Sequence, residues 1–224
     1  MAGQQDPSSQ GLSAVDPGAR LLRSFFARDV HTVAPALLGA TLSHAGVTIR
    51  LTEVEAYAGE RDPGSHAFRG PTPRTSVMFG PAGHLYVYFT YGMHWCANVV
   101  CGDDGAASAV LLRAGEVVAG EEVAAARREG VGRRDWARGP ARLAKTLGLD
   151  GAQTGADACA ADSAVVFHAP GAGLDRRLVR TGPRVGVSGA GGDQQAYPWR
   201  FWLADEPSVS VYRPAKPRAR RTPS

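Results

Sequence analysis

The chain has 224 residues and a formal net charge of +4, with 44% hydrophobic, 21% charged and 8% aromatic residues. That is enough for one or two domains around a sizeable core, and it excludes a disordered or fibrous protein. There is no run of 18 apolar residues, residues 1–20 lack a basic segment leading into an apolar one, and Cys96, Cys101 and Cys159 are odd in number without CxxC spacing. The expectation is a reduced cytosolic protein with no spanning helix, secretory signal or structural zinc.

In chain order, the ends rich in Gln, Ser, Pro and Arg divide the sequence into a disordered 1–16, a folded domain over 17–212 and a disordered basic tail over 213–224. Asp16 and Pro17 read as the cap and first position of a helix carrying Leu21, Leu22, Phe25 and Phe26 at helical spacing. Residues 32–39 and 116–129 predict two more helices, ended by Gly39 and Gly130. Residues 140–147 give a fourth, stopped at Gly148. Strand-like runs lie at 47–57, 85–90, 95–100, 109–113, 164–167, 185–187, 200–203 and 209–212. Strands outnumber helices without alternating with them, which predicts a single α+β domain around a mostly antiparallel sheet.

The charge is unevenly spread. Arg213, Lys216, Arg218, Arg220 and Arg221 stand in the tail with no acid, and these five cations leave the preceding body at −1. Inside the body, Arg127, Arg128, Arg133, Arg134, Arg138, Arg142 and Lys145 face only Glu129 and Asp135. Charge alone reads as a solvated face as readily as a polyanion site.

Period-two alternation over 47–57 puts Val47, Ile49, Leu51, Glu53, Glu55 and Tyr57 on one face. If that face is buried, desolvation and mutual repulsion raise at least one carboxyl towards the range of a general base; if the strand end emerges, both are merely wet. Residues 85–100 read as a hairpin with Tyr91, Gly92 and Met93 at its tip. Leu85, Val87 and Phe89 face the core; His84, Tyr86 and Tyr88 form either surface pairs or a stacking wall. A tyrosine at the tip suits a partner contact better than packing. His66, in a polar loop, carries little weight alone. Gly186 to Ala190 approaches a GxSxG elbow but ends in alanine and reads as a glycine turn, and no GxGxxG, Walker or HExxH motif is present.

Taken in order, Glu53-Val54-Glu55-Ala56-Tyr57, His66, Met78-Phe79, Gly83, Leu85-Tyr86-Val87-Tyr88, Tyr91-Gly92-Met93 and Asn98 closely resemble the alkyladenine (3-methyladenine) DNA glycosylases. Leu111-Leu112-Arg113-Ala114, Gly139-Pro140 with Leu143, and Arg184-Val185-Gly186-Val187 continue the resemblance, which spans roughly residues 20–212. Val54 and Trp95 depart from the family's more frequent residues and touch packing alone.

The resemblance implies a single domain with a curved antiparallel sheet surrounded by helices, and a monofunctional enzyme that hydrolyses the N-glycosidic bond of alkylated or deaminated purines to start base-excision repair. It implies Glu55 as general base and Arg113 as the arginine holding that site. Tyr57, His66, Tyr88 and Asn98 would form the pocket of the flipped base, Asn98 excluding guanine, with Tyr91 as the wedge that fills the duplex. No cofactor or metal is implied; the partner is double-stranded DNA carrying damaged purines, not a membrane, and the enzyme a monomer of the cytoplasm, nucleoid or nucleus. With this in view, the cluster from Arg127 to Lys145, around a helix start at Gly139-Pro140, becomes a candidate phosphate site. A non-catalytic module for distorted DNA would keep Tyr91 and the cations but has no use for Glu55. A small-molecule N-ribohydrolase would need neither Tyr91 nor the arginines.

Overall fold

Eight strands among the described residues form one open, antiparallel sheet: β1 Thr41–His44, β2 Val47–Tyr57, β3 Leu85–Thr90, β4 His94–Val100, β5 Ala109–Ala119, β6 Val166–His168, β7 Val179–Gly182 and β8 Arg200–Leu203. The structure, a computed structural model, describes residues 16, 18–90 and 92–215. Of the expected disordered ends, 1–16 and 213–224, residues 1–15 and 216–224 lie outside the described residues, as do Pro17 and Tyr91, the residue expected at a hairpin tip. The sheet runs β3-β4-β5-β2-β1-β6, and β8 shares the β1 edge of β2 while pairing β7 on its far side.

β2 is rich in β-branched residues and holds the sheet together through β5 on one edge and β1 and β8 on the other. Its alternation is not strict. Leu51 pairs Gly115, Glu53 pairs Ala114 and Val54 pairs Leu112, so Thr52 on β2 and Arg113 on β5 are extra residues at irregularities in the ladder. The one-residue shift reverses which side chains face the core. Ile49, Leu51, Val54 and Ala56 all belong to the core, and Glu53 and Glu55 turn to the opposite face. The carboxylates therefore do not continue the Leu51 face as alternation predicted, yet both are fully buried.

One face of the sheet is covered by α1 (Arg23–Phe26), α2 (Val30–Ala36) and α4 (Pro140–Leu147), with α3 (Glu121–Arg127) beside α4. Phe26, Leu37, Leu38, Leu143 and Leu147 pack there with Leu42, Leu85, Val99 and Leu112. The first helix is shorter than expected because the chain before it is extended: Arg20 bridges to His168, and the Leu21 N–H donates to Phe167 O at 2.9 Å. α2 starts earlier, at the Asp29 cap, whose side chain accepts from the His31 N–H at 2.8 Å. The alanine-rich helix does not begin at 116, since Glu116 to Ala119 extend β5. Gly120, at φ +78° and so close to Gly46 O that no side chain fits, makes the break. α4 has the expected bounds, from Pro140 at its start to Gly148 at its cap.

Residues 185–187 lie in a turn rather than a strand, and 209–212 form no strand. Phe89 is exposed rather than in the core.

Candidate active site

Strand register builds the site. Tyr86 on β3 pairs Asn98 on β4, Asn98 pairs Leu111 on β5, Leu111 pairs Glu55 on β2, and Glu55 pairs Arg200 on β8. Cross-strand partners share a face, so these residues form one row across the side of the sheet away from the helices. A cleft of about 610 Å³ opens over the row. Its lining includes Tyr57, Tyr86, Tyr88, Cys96, Asn98 and Arg113 from the strands, Pro63 to His66 and Val185 to Ser188 from two loops, and Pro140 and Ala141 from the start of α4.

Glu55 lies beneath the cleft floor, and its three partners all line the cleft. Its Oε1 accepts the Val185 N–H at 2.7 Å, its Oε2 accepts the Tyr57 hydroxyl at 2.9 Å, and Arg113 Nη1 stands 3.3 Å from Oε2. Burial, and then the Glu55 charge, push the Tyr57 hydroxyl well above its ordinary value, so Tyr57 remains a donor. Arg113 bridges both carboxylates, its Nε donating to Glu53 Oε1 at 2.8 Å.

Glu53 is a different kind of group. Its Oε1 also accepts from Arg200 Nε at 2.7 Å and the Ser210 hydroxyl at 2.9 Å, and its Oε2 from the Ser210 N–H at 2.7 Å. Burial acts to raise this carboxyl, but Arg113, Arg200 and Ser210 outweigh it and hold it below its ordinary value. The expected upward push by mutual repulsion is therefore reversed at Glu53, because the arginines between and around the carboxylates neutralise them.

The aromatic wall is a stacking wall. Tyr86 and Tyr88 stack with centroids 5.4 Å apart at 28°, and His66 stands edge-on to Tyr88 at 4.6 Å. His66 Nδ1 lies 3.3 Å from the Tyr86 hydroxyl. Partial burial, then the nearby Arg74 cation, lower the proton affinity of His66, which favours the neutral ring at pH 7. Asn98 is buried and donates from Nδ2 to Tyr86 O at 3.0 Å.

Glu55, Arg113, Tyr57, His66, Tyr88 and Asn98 are thus brought together around one cleft, from positions 55 to 113 of the chain. Tyr91 lies outside the described residues, between β3 and β4 in the sequence. The basic cluster divides. Arg127 donates to Thr146 O and Ala45 O, and Arg138 to Val209 O, tying segments together. Arg128 is half-buried with no partner for its Nε. Arg133 pairs Glu121, Arg134 donates to Pro207 O, and Arg142 stands 3.3 Å from Asp135; these three and Lys145 are exposed.

Sequence reasoning missed Arg74, whose guanidinium lies 5.4 Å from the Tyr88 ring centroid, and the buried pair Asp62–Arg184. Arg184 stood in a motif already noted, and Asp62 in a turn signal, but 122 residues separate them. Among the described residues, no group of three His, Cys, Asp or Glu side chains suits a metal ion, and no helix is long and apolar enough to cross a membrane.

A cleft with stacked tyrosines above a buried carboxylate–arginine floor fits a hydrolase that holds a flat ring, and comparison with known proteins agrees. Residues 24–207 match the family model described as methylpurine-DNA glycosylase. A protein of Streptomyces avermitilis is 53% identical over 207 residues, covering 90% of this chain and 96% of its own. One of Frankia casuarinae is 51% identical over 200 residues, 86% of this chain and 92% of its own. One of Leifsonia xyli subsp. xyli is 51% identical over 219 residues, 92% and 96% respectively. All three bear the name "Putative 3-methyladenine DNA glycosylase". The chain belongs to the methylpurine-DNA glycosylase family.

Proposed function

We propose that this protein is a monofunctional DNA glycosylase that extrudes an alkylated or deaminated purine from duplex DNA and hydrolyses its N-glycosidic bond; the family and the names of its relatives support the coarser reading of a 3-methyladenine DNA glycosylase. The observation that carries the reading is Glu55, buried beneath an aromatic cleft and held by donors that line it.

In this reaction the water oxygen attacks C1′ of the sugar and the C–N bond breaks. Its electron pair leaves with the purine, and Glu55 takes the proton of the water. The negative carboxylate also favours the positive charge that develops on the sugar. Alkylation at N3 or N7 makes the base cationic and a good leaving group, so no strong general acid is needed. Tyr57 and Tyr88, which line the cleft with His66, offer π faces to such a base, an attraction of about 0.5–2 kcal/mol. Asn98 at the floor is assigned to the exclusion of guanine through its 2-amino group. Tyr91, between β3 and β4 in the sequence, is assigned to the vacated stack of the duplex, which costs a few kcal/mol to open.

For the DNA backbone, the exposed Arg133, Arg134 and Arg142, close in sequence to the cleft-lining start of α4, and Lys145 in its last turn are the contacts proposed, acting in a monomer on double-stranded DNA. Arg127 and Arg138 are engaged within the fold and drop to a lesser role.

The test is incubation with duplexes carrying single 3-methyladenine, 7-methylguanine, hypoxanthine or ethenoadenine residues in the presence of a chelator, scoring free base and abasic sites. Release of base, with no protein–DNA species trapped by borohydride, is the expected outcome. A trapped species refutes the monofunctional assignment, and no release from any duplex refutes the reading.

A further inference from the structure

Asp62 and Arg184 form an ion pair whose side chains are both 0% exposed. The contact is a two-pronged fork, with Nη1 donating to Oδ2 at 2.6 Å and Nη2 to Oδ1 at 2.7 Å. Each partner also grips backbone. Asp62 accepts the N–H groups of Ala58 and Gly64, and Arg184 donates to Ala56 O at 3.0 Å and Gly191 O at 2.8 Å. The end of β2 and the two loops that wall the cleft therefore meet at one point. The approach is so close that a Cβ on Gly64 would collide with Arg184, and one on Gly191 with the backbone of Gly64.

Stability does not account for this pair. A buried ion pair is seldom better than apolar packing of the same volume, and here Arg184 Nε has no hydrogen-bond partner. What the fork supplies is fixed geometry, and that geometry points at Glu55. Val185, next in chain to Arg184, donates its N–H to Glu55, and Tyr57, whose ring centroid lies 4.5 Å from the Arg184 guanidinium, donates its hydroxyl to the same carboxylate.

We propose that Asp62 and Arg184 are positioning residues for Glu55: their fork clasps the two cleft walls and, through Val185 and Tyr57, aims the carboxylate at the reacting sugar. The proposal rests on the reading of Glu55 as the base. The titratable and charged groups around Glu55 are Glu53 and Tyr57 on β2, Tyr88 on β3, Cys96 on β4 and Arg113 on β5, with Arg184 from the loop and Arg200 paired in register on β8.

The experiment measures single-turnover base release, lesion-duplex Kd, pH–rate profile and thermal melting for wild type, Asp62→Asn, Arg184→Met, Arg184→Lys and the double variant Asp62→Asn/Arg184→Met. It uses the lesion duplex on which the wild type is most active. Release should slow about a hundredfold in the Asn, Met and double variants, as loss of aim demands, with Kd little changed. The acid limb of the rate should move to higher pH in Arg184→Met, which removes a cation near the base. It should move to lower pH in Asp62→Asn, which leaves that cation unneutralised, and return in the double variant. Arg184→Lys keeps the charge without the fork, so its limb stays in place while its rate remains low.

The double variant leaves neither charge unpaired and carries the test if a single variant does not fold. Wild-type rates in folded variants, or limbs that move the same way in both single variants, overturn the positioning role. An inactive wild type instead refutes the reading of the site, and this proposal falls with it.

Discussion

Glu53 and Glu55 are the same residue type, two positions apart on one strand, turned to one face and equally removed from solvent. They share Arg113, and there the likeness ends. Glu53 accepts from a second arginine and from both the N–H and hydroxyl of Ser210, so with Arg113 it takes four hydrogen bonds within the fold. Glu55 accepts instead from Tyr57 and Val185, which line the cleft. Burial alone does not mark a carboxylate as structural or reactive; the identity and position of its donors do. Glu53, bonded to two arginines and Ser210, is an anchor, whereas Glu55 has one arginine beside it and takes its other bonds from groups that line the cleft.

The largest effect expected separates the two by rate. Glu55→Gln should slow single-turnover base release by about 10²- to 10⁴-fold, because the amide keeps the shape but accepts no proton, while lesion-duplex binding and melting change little. A residual rate near that of wild type would erase the distinction. Glu53→Gln should act on stability instead, by about 3–5 kcal/mol in denaturant unfolding, since it leaves buried arginines short of their counter-charge. Its pH dependence has a definite sign. A carboxyl held below its ordinary value of 4.5 adds stability above that pH and loses it as pH falls through the folded value. The wild type should therefore lose stability on acidification below about pH 4.5 more steeply than Glu53→Gln.

Asn98 sharpens the comparison from within the Glu55 row. Asn98→Ala should permit slow release of normal guanine, a change in discrimination of about 1–3 kcal/mol, with base release from lesions retained. Unchanged discrimination would move the exclusion of guanine to another residue. The smallest effect lies on the surface: Arg142→Gln should lower the slope of log K against log salt by about 0.9 and leave lesion preference intact. An unchanged slope would remove Arg142 from the backbone contacts.

Much of this was legible in the sequence, for identifiable reasons. β2, β3 and β8 are alternating or apolar runs bounded by turn residues, and α4 is framed by Pro140 and Gly148, so their limits follow from local chemistry. The cleft residues were nameable through the family resemblance; alternation put Tyr86 and Tyr88 on one side of the hairpin but left surface pairing and a stacking wall equally open, because the second cluster that Tyr86 joins is assembled from distant segments. β1 escaped because its turn to β2 runs through Ala45 and Gly46, both at positive φ, where alanine gives no signal. The irregularities at Thr52 and Arg113 escaped for a deeper reason: a ladder defect depends on two strands, and neither strand alone encodes it. Charge counts likewise did not distinguish Arg127 and Arg138, which tie the chain to itself, from Arg142 on the surface.

The anchoring of Glu53 by Ser210 joins positions 157 residues apart, and the Arg200 bond joins positions 147 apart. Such contacts are closed late and slowly in folding, because the entropy of nearly the whole loop must be surrendered first. On the ribosome, β2, β5 and the hairpin can pair long before residue 210 is made, but in that interval Arg113 has only part of its final setting. The last-synthesised stretch of the domain thus completes the floor under Glu55, and a chain stalled before it carries the cleft's walls without its finished base.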